Sequence, residues 1–527
     1  MRVSFSAAAL ALIATSAFAQ SDLAKTSEVA KPWFGVHLPP AYGAEPAVRV
    51  GERSPRAAVV PSGEAAFEEL RGSTIRKDLE RIVAFSDESR ATREIGSGQL
   101  WGRVSGFPSS AKTVDWAVAQ LRAAGIERVE TQTLAQDPKA SLWLPHSWEV
   151  RLLGDPAFGA GSQDVVLESA IPIPPSNIAN GELVAPLVYV GTANPSVIEH
   201  IDVKGRIAVQ LTVPQGHMLF ERATVTSRAQ ALMKRGAVAV LNLVRLPGNE
   251  RSRDFSNCGG PCFNLGGRDG LFLETVLDRA AEAGLADKVR ARLRLQAQAH
   301  TNLTARNGVA VIEGRSKPDE ALIIDAHADA WFDGAGDNGD GLSVMLALAR
   351  HFAKPENRLA RTLVFVVSAG HHTSGLNGPR GFVQANPELA SKAVLVMNIE
   401  HVAQRNFSPA RTTAEDGYRH AVADSGEAPI VIGVTNRSAA LNKIIDAGAE
   451  RYGTNFISEH SAMQSGETGG FETVRAPKIT IMQAPPLYHT TGEVRDVIST
   501  PGLERMARFI AYFLKGTDQL AREDFAR

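Results

Sequence analysis

LIIDAHADAWFDGAGDNGDG, the stretch from residue 322 to residue 341, decides the fold of this 527-residue chain. It opens with an apolar run, 322–324, that is typical of a buried strand, and it leads directly into His327 and Asp329. A glycine-rich turn then carries Asp337. Parallel α/β sheets place binding residues just beyond the carboxyl ends of their strands, and a histidine with two carboxylates is typical of a metal site. The stretch therefore predicts an α/β fold with a metal centre at a strand end.

Similar apolar runs around this stretch predict a mostly parallel central sheet flanked by helices. The runs are short and lack polar alternation, which is typical of strands covered on both faces. They occupy residues 309–312, 363–367, 394–399 and 479–482. Helices are predicted after Asp337 and over residues 439–452 and 503–514.

A helix and an edge strand are predicted earlier in the chain. Apolar residues spaced three and four positions apart indicate the helix: Val114, Ala117, Val118 and Leu121. Ser109 or Ser110 is available as its N-cap, and Gly125 ends it. Residues 129–134 alternate as an edge strand does.

The segment between residues 151 and 300 has a different sequence pattern, because its strand candidates are short and are separated by Gly and Pro. We predict a small β-rich domain inserted into the α/β domain. The predicted organisation is a signal peptide at 1–19, an extended arm at 20–65, the α/β domain at 66–150 and 301–515, and the insert at 151–300.

The N-terminal sequence MRVSFSAAALALIATSAFAQ has the three parts of a signal peptide. Arg2 is the positive region, residues 7–14 are apolar, and the Ala-Phe-Ala triplet ending at Ala19 is a cleavage site. No later apolar run reaches the ~18 residues needed to span a bilayer. We therefore expect an exported protein, periplasmic or secreted, without a membrane span. A formal net charge of −1 and the absence of a long basic run give no support for nucleic-acid binding.

Two cysteines, Cys258 and Cys262, occur in the sequence CGGPC. In an oxidising compartment this spacing favours a disulfide. A two-cysteine metal site and a pair of free thiols are the alternatives.

Polar residues that follow other apolar runs could complete the metal centre. His371 and His372 follow one run, Glu400 and His401 another, and His489 lies after the last. Because the ends of parallel strands meet at one sheet edge, these side chains are expected to lie together. They suffice for two zinc ions bridged by one carboxylate, about 3.5–4 Å apart, which polarise a carbonyl and activate water. A single zinc is the alternative.

In their order along the chain, the motifs HAD, GAGDNGDG, GLNG, NIEH and YHT resemble those of the co-catalytic zinc exopeptidases. That family includes secreted bacterial aminopeptidases, glutamate carboxypeptidase II and the transferrin receptor. The resemblance covers roughly residues 67–515. The sequences DVKGRIAVQ and KRGAVAVL of the insert resemble the protease-associated domain that such enzymes often carry.

The resemblance implies a role for each residue that matches a family motif. Asp337 would bridge two zinc ions, His327 and Glu400 would bind one of them, and His489 would bind the other. Asp329 would hold the His327 imidazole in its metal-binding tautomer. Tyr488, which precedes the last ligand, would line the substrate cleft or steady a developing oxyanion.

The chain departs from the family where a Glu-Glu pair is usual, because it has His371 and His372 there. In the family the first Glu is the general base and the second is a metal ligand. His372 suits the ligand position, since neutral imidazole is a common zinc donor. His371 is the candidate base, with an unperturbed pKa of ~6.5 that suits proton transfer near neutrality.

Other residues near these motifs have plain structural interpretations. His401 is expected only to cap its strand, and Glu467 to be a loop residue. Trp331 fits either a substrate wall or the core.

The leading hypothesis is a secreted, zinc-dependent exopeptidase, most simply an aminopeptidase, that hydrolyses peptide bonds with a hydroxide held by two zinc ions. An amidohydrolase for a modified or non-peptide substrate is the second hypothesis, motivated by the altered Glu-Glu pair. A non-catalytic, receptor-like metal-binding protein is the third.

Overall fold

The structure is a computed structural model that describes residues 33–39, 41–43, 48–50, 53–213, 218–253, 257–409, 421–460, 466–483 and 487–525. The predicted signal peptide and part of the predicted arm lie outside these residues. Within the described ranges, no helix is long and apolar enough to cross a membrane.

The described strands, in chain order, are β1 (Val48–Val50), β2 (Arg128–Ala135), β3 (Leu142–Leu153), β4 (Val165–Val166), β5 (Ile171–Pro172), β6 (Glu182–Tyr189), β7 (Ile207–Thr212), β8 (Ala239–Val244), β9 (Cys262–Leu265), β10 (Arg290–His300), β11 (Thr304–Ile312), β12 (Lys317–His327), β13 (Arg361–Ser368), β14 (Ala393–Glu400), β15 (Arg405–Pro409), β16 (Ala421–Glu427), β17 (Ile430–Val434), β18 (Phe456–His460) and β19 (Lys478–Gln483). The described α-helices are α1 (Gly72–Thr92), α2 (Pro108–Ala123), α3 (Pro195–Ile198), α4 (Met218–Lys234), α5 (Gly267–Glu282), α6 (Gly341–Ala353), α7 (Gly378–Ala385), α8 (Pro387–Lys392), α9 (Ala439–Tyr452) and α10 (Thr500–Thr517).

The first large sheet has eight strands in the order β18-β17-β19-β14-β12-β13-β11-β2. Its centre, β19-β14-β12-β13, is parallel, and antiparallel pairs connect it to β17 and β11. Every residue of β13 and β14 is buried, which explains the apolar runs 363–367 and 393–397 within them. The predicted edge strand is β2, and the α/β fold class predicted from the sequence is confirmed.

Helices cover both faces of this sheet. Leu322 and Ile324 of β12 belong to the core that α1, α6 and α10 share. Ile323, which points the other way, belongs to the core of α7 and α8. The four parallel strands are therefore held between two apolar layers, and their carboxyl ends form a fixed edge.

The second large sheet is built from the segment between Leu142 and His300, in the order β4-β3-β10-β6-β7-β8-β9-β5. Strands β6 to β9 run parallel, whereas β10 is antiparallel to β3 and β6. Helix α5 packs its apolar face into the core of this sheet. The likeness of this segment to a protease-associated domain stays a prediction.

The described part of the predicted arm packs onto the folded chain. Trp33 is fully buried, and its ring lies 5.0 Å from that of Phe158 in the second-sheet segment. Strand β1 pairs in parallel with β16, which together with β15 forms a small third sheet.

Two local predictions can be compared with the structure directly. Helix α2 begins at Pro108 with Phe107 as its N-cap, so the prediction that Ser109 or Ser110 caps it is wrong. Proline at the first helical position has a preset φ, which explains the earlier start. Cys258 and Cys262 form a disulfide, the pairing that the sequence favoured.

Candidate metal centre

Each candidate ligand lies at the carboxyl end of a strand of the parallel centre or in the chain that follows such a strand. His327 and Glu400 are the last residues of β12 and β14. His372 lies in the loop after β13, and His489 lies in a turn after β19. Asp337 is in the distorted helical turn Ala335–Asp340 that leads into α6, and its peptide bond to Asn338 is cis.

The first ligand set gathers around one oxygen of Asp337. Oδ1 of Asp337 is 3.0 Å from Nε2 of both His327 and His401. Oε1 of Glu400 is 3.7 Å from His327 Nε2 and 3.5 Å from His401 Nε2. Donor atoms bound at about 2.0–2.2 Å to one tetrahedral zinc ion are about 3.3–3.6 Å apart, so these spacings suit a shared cation.

The second ligand set gathers around the other oxygen of Asp337. Oδ2 is 2.8 Å from Nε2 of His489 and 3.2 Å from Nε2 of His372. Both sets are compatible with metal binding, and Asp337 is common to them.

The donor atoms are buried and several have no hydrogen-bond partner among the described residues. The six side chains of the two sets are at most 6% exposed. Buried polar atoms are normally satisfied, yet four donors are left without a partner: Nε2 of His327, His372 and His401, and Oδ1 of Asp337. Convergent, unsatisfied imidazole nitrogens and carboxylate oxygens are what a zinc ion would satisfy, so the residues fit this metal.

Burial and short contacts shift the pKa values of Asp337, His327 and His372. Burial would raise the pKa of the Asp337 carboxyl, but His372, His401 and His327 hold it well below its usual range. Burial would lower the pKa of His327, but Asp337 and Glu400 raise it well above its usual range. Burial lowers the pKa of His372 to about 4, so its imidazole is neutral at pH 7. Neutral imidazole is the form that binds zinc.

His401 is a member of the first ligand set that the sequence prediction left out. It was expected only to cap its strand, whereas its Nε2 faces both Asp337 and Glu400. Its backbone has a φ of 50°, and His489 has a φ of 55°. Such conformations are uncommon for residues other than glycine and concentrate at functional sites. The sequence signal was the histidine directly after Glu400, at a strand end.

Asp329 contacts His327 more closely through its main chain than through its carboxylate, and its predicted role in holding the imidazole stays a prediction. Its backbone carbonyl is 3.0 Å from Nδ1 of His327, whereas its carboxylate is 3.7 Å from that atom. The carboxylate instead accepts the backbone N–H groups of His371 and His372, at 3.3 and 3.0 Å. Asp329 therefore orients both ligand sets, the first through its main chain and the second through its side chain.

His371, the candidate base, lies against the first ligand set. Its ring stacks on that of His327, with centroids 4.1 Å apart and planes 5° apart. Its Nδ1 is 3.3 Å from Oε1 of Glu467. Burial and His327 would lower the pKa of His371, but Glu467 and Glu400 raise it to about 9. This pairing favours the protonated imidazole, and the role of His371 as a base stays a prediction.

Glu467 is a buried partner of His371, so its interpretation as an ordinary loop residue is wrong. It lies in the helical turn Gly466–Phe471 and is 6% exposed. Its Oε1 accepts a hydrogen bond from the hydroxyl of Ser368, the last residue of β13, at 3.5 Å. The resemblance to the zinc exopeptidases offers an acidic residue near the cleft as the alternative interpretation of Glu467, and the contact with His371, which lines the cleft, agrees with that alternative.

A cleft of about 470 Å³ opens over the second ligand set. Tyr488 lines it and stacks on His489, with ring centroids 3.6 Å apart. Trp331 also lines it, with its ring 6.0 Å from that of His372. The second-sheet segment contributes further lining residues: Leu142, Trp143, Pro174, Pro175 and Arg253.

Comparison with known proteins agrees with this arrangement. Residues 307–514 match the model of peptidase family M28. The chain carries a peptidase family M28 domain. The matched segment contains β12, β13, β14 and β19 and thus both ligand sets.

Curated relatives are matched over short segments of the chain. A probable glutamate carboxypeptidase, LAMP1, from Arabidopsis thaliana is 33% identical over 97 residues, which are 18% of this chain and 14% of the relative. Transferrin receptor protein 2 from Homo sapiens is 38% identical over 79 residues, 14% of this chain and 10% of the relative. The chain thus spans a small part of the curated relatives it matches.

Solved structures share the fold over most of the chain. A peptidase M28 precursor from Shewanella amazonensis superposes with a TM-score of 0.60 at 19% identity, covering 85% of this chain and 98% of that one. BSAP, a zinc aminopeptidase from Bacillus subtilis, superposes with a TM-score of 0.57 at 16% identity, covering 86% and 98%. At these identities the likeness shows the fold alone.

Proposed function

We propose that this protein is a two-zinc exopeptidase that hydrolyses a peptide bond at the end of a short chain. The proposal is carried by one observation: the two carboxylate oxygens of Asp337 face different ligand sets. Oδ1 faces His327 of the first set, and Oδ2 faces His489 of the second. Such a carboxylate is suited to bridge two cations about 3.5–4 Å apart.

The two ligand sets define which residues would hold each ion. His327, Glu400 and His401 would hold one, His372 and His489 the other, and Asp337 both. Bound zinc would supply Lewis acidity for the scissile carbonyl and lower the pKa of water.

The chain's own residues would position the substrate and handle its protons. His371 faces the cleft with Glu467 behind it, so this pair is placed to hold a proton near the reacting bond. Asp329 fixes the turn that carries both histidines. Trp331 and Tyr488 form apolar walls that would exclude water from the reacting bond.

Exopeptidase action is supported by the shape of the cleft. Pockets of about 300–1,000 Å³ bury a ligand of small-molecule size, and this cleft falls within that range. Residues of the second-sheet segment line it together with residues of the second ligand set. Short peptide ends therefore fit better than a long polypeptide. Aminopeptidase action is the first activity to assay.

Export of the protein is a separate part of the proposal. The cleavage-site triplet ending at Ala19 supports it, and so does the Cys258–Cys262 disulfide, since disulfides persist in oxidising compartments. Mass spectrometry of the mature protein should find an N-terminus at Gln20.

Metal analysis combined with hydrolysis assays tests the main proposal. The purified protein should contain about two zinc ions per chain, and Asp337→Asn should lose both, because each set loses an anionic donor. Chelation should abolish hydrolysis of aminoacyl substrates, and zinc should restore it. His200→Ala, an exposed histidine outside the centre, is the control and should change neither property. A metal-free wild-type protein that binds no added zinc would contradict the proposal.

His371 and His372 stand where the zinc exopeptidases usually have Glu-Glu, and this difference is the reason for the second hypothesis, an amidohydrolase. The same preparation should therefore be assayed against N-acyl amino acids and simple amides. Full zinc occupancy with no hydrolysis of any of these substrates would favour the receptor-like alternative.

A further inference from the structure

A fully buried arginine that none of the roles above uses contacts the chain that joins two of the candidate ligands. Arg103 follows α1 and lies outside residues 307–514, the segment that matches peptidase family M28. Its side chain is buried completely. Its guanidinium contacts residues 328–334, which connect His327 to the helical turn that carries Asp337. We call residues 328–334 the connecting loop.

The Arg103 guanidinium donates hydrogen bonds to both ends of the connecting loop. Nε donates to the carbonyl of Ala328, the first residue of the loop, at 3.0 Å. Nη1 donates to the carbonyl of Asp333 at 2.7 Å, and Nη2 donates to that of Gly334, the last residue, at 3.0 Å. The hydroxyl of Ser86 in α1 accepts from Nη1 at 2.7 Å and donates to the Asp333 carbonyl at 3.0 Å. One planar group therefore fixes the separation of the two loop ends.

The main chain beside Arg103 pairs with the middle of the connecting loop. The N–H of Ala330 donates to the carbonyl of Arg103 at 3.1 Å, and the N–H of Phe332 donates to that of Trp101 at 2.7 Å. A Cβ atom on Gly102 would lie 2.2 Å from the carbonyl oxygen of Ala330, so a residue with a side chain would push the two segments apart. The loop is thus held along its length by residues 101–103.

A guanidinium suits this position better than an ammonium group does. Its planar fork of five N–H donors can reach several carbonyls at once, whereas the lysine ammonium is a single compact charge. Burial lowers the pKa of Arg103 to about 10, while Asp337 and Asp329 oppose the shift, so the side chain is charged at pH 7. Its positive charge counters the repulsion between these two buried carboxylates.

We propose that Arg103 is a positioning residue of the metal centre, which holds the connecting loop so that His327 and Asp337 face each other before zinc binds. The spacing that it would preserve is the 3.0 Å between Nε2 of His327 and Oδ1 of Asp337. This inference rests on the proposed two-zinc function and adds to the centre a residue from outside the matched segment. Ligands that are in place beforehand lose less conformational entropy when the ion binds, so the affinity for zinc is higher.

Stepwise zinc titration of the metal-free protein by calorimetry tests the proposal. Arg103→Lys keeps the charge but cannot replace all of the hydrogen bonds, so the loop ends should loosen. We expect zinc affinity to fall by about 10- to 100-fold, the range for losing a supporting partner of a metal site. Both steps should weaken, because Asp337 belongs to both ligand sets.

A second buried arginine provides the matched control. Arg361 is 1% exposed and also donates to three main-chain carbonyls, those of Thr517, Asp518 and Leu520. It is the first residue of β13, at the opposite end of the sheet from the ligand sets. Arg361→Lys should lower the thermal midpoint of the metal-free protein, as Arg103→Lys should, but its zinc steps should equal those of wild type.

Ser86→Ala keeps the test decisive if Arg103→Lys does not fold. The variant removes one contact of the Arg103 guanidinium and one contact of the connecting loop, and it changes the side-chain volume little. We expect zinc affinity to fall by about 2- to 10-fold, which corresponds to the loss of roughly one net hydrogen bond. Unchanged zinc affinity in Ser86→Ala would then contradict the positioning role.

The outcomes separate this inference from the proposed function. Weakened zinc steps in Arg103→Lys, with wild-type steps in Arg361→Lys, support the positioning role. Wild-type zinc steps in Arg103→Lys, or equal weakening in both arginine variants, overturn it and leave the two-zinc proposal intact. A wild-type protein that binds no zinc overturns both.

Discussion

Nε2 of His401 lies 3.0 Å from Oδ1 of Asp337, the same distance that separates Nε2 of His327 from that oxygen. Both histidines are fully buried, and Glu400 faces each of them. The first ligand set thus offers four donors, whereas the second offers three. A closed set of four is typical of tightly held zinc, and a set of three leaves a position for water or substrate. The two ions should therefore differ in affinity.

His401→Ala is expected to weaken metal binding at the first ligand set while sparing the second. Three donors would remain, so we expect at least a 10- to 100-fold loss of zinc affinity there, the range measured for losing a supporting partner. Stepwise zinc titration by calorimetry measures this directly. His489→Ala is the matched variant and should weaken only the other step. Two unchanged steps in His401→Ala would mean that His401 only caps its strand.

Asp329→Ala should weaken zinc binding mainly at the second ligand set. Its carboxylate holds the backbone N–H groups of His371 and His372, whereas the contact with His327 uses the main chain and survives the substitution. The expected loss is about 10- to 100-fold in affinity for the second step. If the first step weakens instead, the role originally predicted, support of His327 by the side chain, is right.

Glu467→Gln should slow the reaction without removing metal. Its carboxylate is 3.3 Å from Nδ1 of His371, and a neutral amide would no longer favour the protonated imidazole. We expect kcat to fall by roughly 10²-fold, the lower end of typical acid–base contributions, with zinc content unchanged. Glu472→Gln, an exposed neighbour that pairs with Arg380, is the control. Equal kcat in both variants would exclude a role for Glu467.

Much of the fold could be predicted because its central strands are apolar on both faces. The segment 322–324 lies within β12, and the predicted helix 439–452 coincides with α9. The start of α2 is mispredicted because Ser109 and Ser110 suit an N-cap, whereas the helix begins at Pro108 with Phe107 as its N-cap. At a helix start, the preference of serine for the N-cap and the preference of proline for the first helical position can indicate different residues. The sequence alone therefore does not fix such a boundary.

The candidate site was predictable only where a motif marks it. His327, Asp337 and His489 belong to recognisable motifs and lie together in the structure. His401 is not predicted as a ligand, because a histidine after a strand usually has a structural role. Its contact with Asp337 depends on the positive φ of its own backbone. Arg253 could not be placed near the ligands, because the second-sheet segment reaches them only through tertiary pairing.

The helix that follows the metal turn carries a separate pH-sensitive contact. Burial would raise the pKa of Glu69, but hydrogen bonds with His351 at 2.8 Å and Lys354 at 2.5 Å lower it to about 2. A carboxylate with a lowered pKa stabilises the fold above its unfolded-state pKa of ~4.3, and that stability is lost as the pH falls toward 2. The contribution is at most roughly 3 kcal/mol, at about 1.4 kcal/mol per pKa unit.

Glu69→Gln should therefore lower the thermal midpoint at pH 6 and lower it progressively less as the pH falls from 4.5 to 3. Wild type and variant are compared in chelator, so that zinc release at low pH affects neither. Glu68→Gln is the control, because Glu68 is 65% exposed and pairs with the exposed Arg71. Its midpoint should follow that of wild type at every pH. A gap between Glu69→Gln and wild type that stays constant from pH 6 to pH 3 would show that Glu69 stabilises the fold through packing rather than through its charge.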